Sequence, residues 1–186
     1  RPEDIKKKIT PRTKAIFINS PSNPTGIVMT KEQLEGIAQF EQQYIVSDEI
    51  YHGLVYKDRA HSILEFTDRA FVINGFSKLY AMTGWRLGYC IFPREFSQVM
   101  QRIHQNFMIS ASGFVQWAGI AALTKAQKDV AEMVKIYDER RRYMLKRLQE
   151  MGFVIHVEPT GAFYVFADAR RFCEDSYQEA FRIIEE

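Results

Sequence analysis

The chain has 186 residues, of which 46% are hydrophobic and 13% aromatic, so it can bury a sizeable core and is not of the disordered class. Its 25 basic and 23 acidic residues, net +2, are mixed along the chain, which gives no concentrated basic face for a nucleic acid. Cys90 and Cys173 are far apart and form no CxxC spacing, which fits free thiols in a reducing, cytoplasmic compartment better than a disulfide framework.

Taken in chain order, Ala15-Ile16-Phe17-Ile18 reads as a buried strand that runs into the breaker cluster Asn19 to Gly26. Thr30 with Gln33 three residues on forms a capping-box pattern. The apolar spacing of Leu34, Ile37 and Ala38 behind it predicts a helix that reaches Gln42-Gln43. Tyr44-Ile45-Val46 is the next strand, followed by Ser47-Asp48-Glu49. Beyond an irregular stretch from Gly53 to Asp68, Ala70 to Ile73 is a third strand and Leu87 to Phe92 a fourth. Strands alternating with helical segments predict an α/β architecture whose mostly parallel sheet is buried on both faces.

After Pro93 the periodicity becomes helical, over about 94–109, 113–124 and 128–150. Phe153 to Val157 and Ala162 to Phe166 then flank the turn Glu158-Pro159-Thr160-Gly161 and read as two strands, and Ser176 opens a last helix. The basic runs Lys6-Lys7-Lys8 and Arg140-Arg141-Arg142 read as solvated helix faces. The long helix reads as a spine between two domains, with residues 1–127 in a large domain and 128–186 forming the interdomain helix and part of a smaller α+β domain. No apolar run approaches the length of a membrane span. The opening at Arg1-Pro2-Glu3 without methionine, and the stop inside a helical pattern at Ile184-Glu185-Glu186, suggest a piece of a longer chain.

In open α/β sheets ligands bind outside the carboxyl ends of the strands, and here three of those exits carry unusual polar chemistry. The first delivers Asn23, in a loop stiffened by Pro21 and Pro24. The second delivers Asp48 with Tyr51, and the third Lys78, with Arg86 eight residues later. A lysine at a buried strand exit is a candidate nucleophile, because burial favours its neutral amine. Each residue alone has a duller reading: Asp48 as a helix cap, Tyr51 as core, Trp85 and Arg86 as a surface stack. Neither a P-loop nor a dinucleotide fingerprint is present, and the four histidines lack metal-ligand spacing.

Four segments carry a resemblance: Ser20-Pro21-Ser22-Asn23-Pro24-Thr25-Gly26, Asp48-Glu49-Ile50-Tyr51, Gly75-Phe76-Ser77-Lys78 and Thr83-Gly84-Trp85-Arg86-Leu87-Gly88-Tyr89. In order and spacing, over about 70 residues, they resemble the aspartate-aminotransferase-like (class I/II, fold type I) enzymes that depend on pyridoxal 5'-phosphate (PLP). The resemblance implies that Lys78 holds the cofactor as a Schiff base and shuttles a proton. It implies that Asp48 pairs with the pyridine nitrogen, that Tyr51 and Asn23 reach the phenolic oxygen, and that Arg86 meets the phosphate. Gly161 matches a turn on the substrate side of the small domain.

The implied activity is transfer of an amino group between an amino acid and a 2-oxo acid by a homodimer. A carbon–sulfur lyase of the same fold, or the sensor module of a transcription regulator, are the alternatives. One departure is Gly75, where many relatives carry serine. The family's N-terminal phosphate loop, stacking aromatic and cross-dimer tyrosine, and its C-terminal carboxylate-binding arginine, have no counterpart here. A chain with only this half of the site is therefore expected to bind PLP weakly and to be inactive by itself.

Overall fold

The computed structural model describes residues 1–185; Glu186, named above in the C-terminal helical pattern, lies outside them. The elements in order are α1 (Pro2–Lys6), β1 (Ala15–Asn19), α2 (Lys31–Ala38), β2 (Tyr44–Asp48), β3 (Ala70–Gly75), β4 (Gly88–Ile91), α3 (Ser97–Phe107), α4 (Gly113–Lys125), α5 (Gln127–Glu150) and α6 (Ser176–Glu185), with short 3-10 turns at Ile63–Glu65, Thr83–Trp85 and Arg94–Phe96. The four strands form one sheet in the order β1-β2-β3-β4. The first three are parallel, with Asn19 opposite Asp48 and Asp48 opposite Ile73, and β4 runs antiparallel to β3.

The capping box starts α2 as the sequence predicts: the Gln33 amide donates to Thr30 Oγ1 at 3.3 Å and the Thr30 amide to Gln33 Oε1 at 2.9 Å. The helix stops at Ala38, before Gln42-Gln43, and Gln43 is buried in the turn that leads into β2. Its two fully buried residues, Leu34 and Ile37, pack with Ile16, Ile45, Ile63, Ala70 and Val72 into the main core.

That core covers one face of the sheet, which corrects the expectation of strands buried on both. Along β1 the alternation is sharp: Ile16 is 8% exposed and Phe17 79%. On the second face the Phe96 ring meets Tyr44 and Phe71 edge-on, at 5.1 and 5.0 Å, while Ile73, Tyr89 and Ile91 remain exposed. The apolar residues on this face produced the two-sided pattern in the sequence, but α1, α2 and the 63–65 turn all contribute to the core on the other.

The segments 153–157 and 162–166, expected as strands, form none; each region makes a single bridge, Val154 with Asp168 and Val55 with Gly161. Ala162 has φ 54°, a left-handed conformation that interrupts extended pairing. The backbone of this segment is satisfied by loops instead, as described below.

The solvated-face reading of the basic run at 140–142 fails at its centre. Arg141 is buried, with its guanidinium bonded to Asp138 (2.7 Å), Glu158 (2.8 Å) and the Pro159 carbonyl (3.1 Å). It joins α5 to the 158–161 turn. Arg141, then Lys57, holds the Glu158 carboxyl below the usual glutamate range. The resulting stability is present above the ordinary glutamate pKa and is lost as pH falls through the lowered one. Arg141→Met is expected to cost about 1–3 kcal/mol near neutral pH, less than a fully buried pair because Glu158 is half exposed. The difference from wild type in urea unfolding should shrink below about pH 4.

Candidate active site

Because β1, β2 and β3 are parallel, their carboxyl ends share one edge of the sheet, and the segments leaving them carry Asn23, Asp48, Tyr51 and Lys78. Asn19 ties the first exit to the second. Its side chain donates to the Asp48 carbonyl at 3.0 Å and accepts from the Asn23 amide at 2.7 Å, which fixes the turn that presents Asn23.

At the second exit the strand's alternation divides two adjacent carboxylates. Asp48 Oδ1 accepts from the Ile50 amide at 3.1 Å, and Oδ2 makes no hydrogen bond among the described residues. Glu49 points inward and is buried. Its Oε1 accepts from Ser47 Oγ (3.0 Å), Ser62 Oγ (3.1 Å) and the Ile63 amide (3.0 Å), with His52 Nδ1 3.5 Å from Oε2. One carboxylate is thus committed to the fold, and the other faces the ligand edge.

Tyr51 is buried on Leu54 and Ala162, and its ring meets those of Phe163 and Tyr164 edge-on, both at 5.4 Å. Its hydroxyl is hydrogen-bonded to the Tyr164 hydroxyl. Burial raises its pKa far above the ordinary tyrosine value. The bond to Tyr164 and the charge of Asp48 add to the rise, and the nearby Asn23 side chain opposes it.

Lys78 is half-buried, with Nζ 6.0 Å from the Tyr51 ring centroid and 5.8 Å from that of Phe163. Both distances are within the reach of a cation–π attraction. No carboxylate among the described residues pairs with it. Its loop is closed by bonds from the Ala81 amide to the Lys78 carbonyl (3.2 Å), the Met82 amide to the Phe76 carbonyl (3.2 Å) and Thr83 Oγ1 to the Ser77 carbonyl (2.9 Å).

Arg86 is not brought into contact with this group. It is exposed, in the left-handed region at φ 55°, and donates to the Thr83 carbonyl at 3.0 Å. It lines a cavity of about 790 Å³ with Asn74, Trp85, Tyr89 and His104. A Cβ at Gly75 would lie 3.0 Å from the Leu87 carbonyl oxygen and 3.1 Å from the Gly88 Cα. Close approach of β4 leaves little room for a side chain.

Tyr164 and Phe163 join the site from the other end of the chain, and the sequence reading missed both. Their segment is held by backbone bonds: Thr160 and Gly161 amides to the Gly26 carbonyl (2.9 and 2.8 Å), the Ala162 amide to the Leu54 carbonyl (2.9 Å) and the Tyr56 amide to the Thr160 carbonyl (2.9 Å). Gly161 is required by this fit, since its Cβ would meet Val28, Leu54 and Pro21 at 2.7 to 2.9 Å. The one sequence clue was the aromatic pair placed one residue beyond the Pro-Thr-Gly turn.

An amine, a carboxylate, a buried phenol and an amide thus lie along one sheet edge. The family model for aminotransferase class I and II matches residues 1–186, and the chain belongs to that family. It is 41% identical over 99% of its length to the (5-formylfuran-3-yl)methyl phosphate transaminase of Methanocaldococcus jannaschii, covering 50% of that protein. It is 40% identical over 95% of its length to the aspartate aminotransferase of Thermotoga maritima, covering 48%. A Thermus thermophilus aspartate aminotransferase double mutant superposes with a TM-score of 0.93 at 39% identity, over 100% of this chain and 50% of that one. The chain thus spans about half the length of the curated relatives it matches. The fold is that of the PLP-dependent transferases, and class I and II aminotransferases depend on PLP. No helix among the described residues is long and apolar enough to cross a membrane.

Proposed function

We propose that the complete protein is a PLP-dependent aminotransferase that moves an amino group between an amino acid and a 2-oxo acid. The observation that carries this reading is the Lys78 amine lying 6.0 Å from the ring of Tyr51, on the edge that also bears Asp48 and Asn23. When bound, PLP supplies an electron sink for charge developing at the substrate's α-carbon.

The chain's own residues would do the rest. Lys78 would hold the cofactor through its amine and, once displaced, carry a proton to and from the substrate's α-carbon. Asp48 would keep the pyridine nitrogen protonated by pairing with it through Oδ2. Tyr51 and Asn23 would hold the phenolic oxygen in its ionised form. Arg86, with most of its fork of donors still available, would meet the phosphate. Backbone amides or water would take the place of a side chain at Gly75.

Residues 1–127 are proposed as the large-domain portion, and 128–186 as the interdomain helix with part of the small domain. A cytoplasmic homodimer is the proposed assembly. The largely apolar α4 leaves Phe114 and Trp117 about 70% exposed, a face that the remainder of a longer chain or a second copy would cover.

The reading is tested by assaying the complete, PLP-loaded protein for amino transfer that depends on an added 2-oxo acid. Transfer is expected with at least one common amino acid. Release of ammonia and pyruvate without a 2-oxo acid would favour the lyase alternative and defeat the proposal.

A further inference from the structure

We propose that Tyr164 is a positioning residue for Tyr51: its hydroxyl sets where the Tyr51 O–H points, and through it tunes the phenolic oxygen of the cofactor. The inference rests on the PLP reading above. It starts from hydrogen-bond accounting: a phenol carries one proton to donate and an oxygen that can also accept.

The Tyr51 hydroxyl is hydrogen-bonded to that of Tyr164, and either oxygen can be the donor. With Tyr51 donating, its single proton is spent on Tyr164. Tyr164 occupies the role that an anionic ring oxygen would take. When such an oxygen arrives, the single Tyr51 proton turns to it, and the Tyr164 hydroxyl reverses to donate to Tyr51. Donation in series strengthens the terminal bond.

The reversal needs no movement of either ring, because only hydroxyl hydrogens rotate. Tyr164 is well held for this. The Gly26, Leu54 and Thr160 carbonyls pin its segment to the loop that bears Asn23 and to the turn that follows Tyr51. The charged and titratable groups facing Tyr51 are Asp48 from β2, Lys78 from the β3 exit, Tyr137 from α5 and Tyr164 itself; of these, Tyr164 is the one bonded to its hydroxyl.

The test is Tyr164→Phe in the complete PLP-loaded protein, which keeps the ring packing and removes the hydroxyl. The readout is the pH midpoint of the bound cofactor's visible absorbance. With a weaker donor on the phenolic oxygen, the adjacent nitrogen keeps its proton to higher pH, so the midpoint is expected to rise by about half to one pH unit. In a Tyr51→Phe background the same substitution should move it by less than about 0.3 unit, because Tyr164 acts through Tyr51. An unchanged or lowered midpoint, or an equal shift in both backgrounds, would overturn the proposal. A wild-type protein with no Lys78-dependent absorbance band would overturn both this inference and the reading beneath it; a titrating band indifferent to Tyr164 defeats this one alone.

Discussion

Lys78→Ala in the complete protein is expected to lower amino transfer by at least about 10⁴-fold while leaving the unfolding midpoint of the cofactor-free protein unchanged. Positioned acid–base catalysis alone contributes up to about 10⁴-fold, and this side chain would also hold the cofactor covalently. The structural cost is small because the bonds that shape the loop run between Phe76, Ser77, Lys78, Ala81, Met82 and Thr83 without using the Lys78 side chain. The half-buried amine has no carboxylate partner to strand among the described residues. Lys78→Arg should lose as much, since a guanidinium keeps the charge but not the neutral, nucleophilic amine. Turnover within tenfold of wild type in either variant would remove Lys78 from the chemistry. A fall in turnover matched by a fall in the urea stability of the cofactor-free protein would instead assign it a structural role.

The strand exits were legible because they depend on local information. A β-branched or apolar run that ends in a breaker cluster marks where a parallel strand delivers its next residues, and the first three runs fixed the positions of Asn23, Asp48, Tyr51 and Lys78. Tyr164 was not legible: it reaches Tyr51 across 113 positions, and no periodicity encodes that distance. Its neighbourhood even misled, since apolar residues around a turn pattern as strands while their amides bond to Gly26 and Leu54. Arg141 was misread for a similar reason. Three consecutive arginines look like one solvated face, yet successive helix positions are about 100° apart, and the middle one points at Glu158 and Pro159. The pair Asp48-Glu49 shows the same principle in a strand: identical chemistry in sequence, opposite sides in space.

The 158–164 segment is what turns these separate exits into a site. It bonds to the Gly26 carbonyl in the Asn23 loop and to the Leu54 carbonyl after Tyr51, and it sets Phe163 near the Lys78 amine. Arg141 secures its near end to α5 through Glu158 and the Pro159 carbonyl. The proposed cofactor groups come from residues 23 to 86, but their packing depends on residues beyond 130, so a change in the 158–164 turn should be felt at Tyr51.

Glu49→Ala is expected to be the most destabilising single change at this edge, at about 3–5 kcal/mol in urea unfolding of the complete protein. The carboxylate is 3% exposed, and its Oε1 alone accepts from Ser47, Ser62 and the Ile63 amide. Removing it leaves three donors, two of them buried, without an acceptor and opens a cavity between the β2 exit and the 63–65 turn. Glu49→Gln keeps a carbonyl oxygen for the same donors and fills the same volume, so it should cost about 1 kcal/mol. The alanine variant should also weaken PLP retention, because Asp48 and Ile50 flank the lost anchor and Tyr51 follows one residue later. The glutamine variant should retain cofactor normally. Equal effects of the two substitutions, both below about 1 kcal/mol, would show that the inward carboxylate does not hold the second strand exit in place.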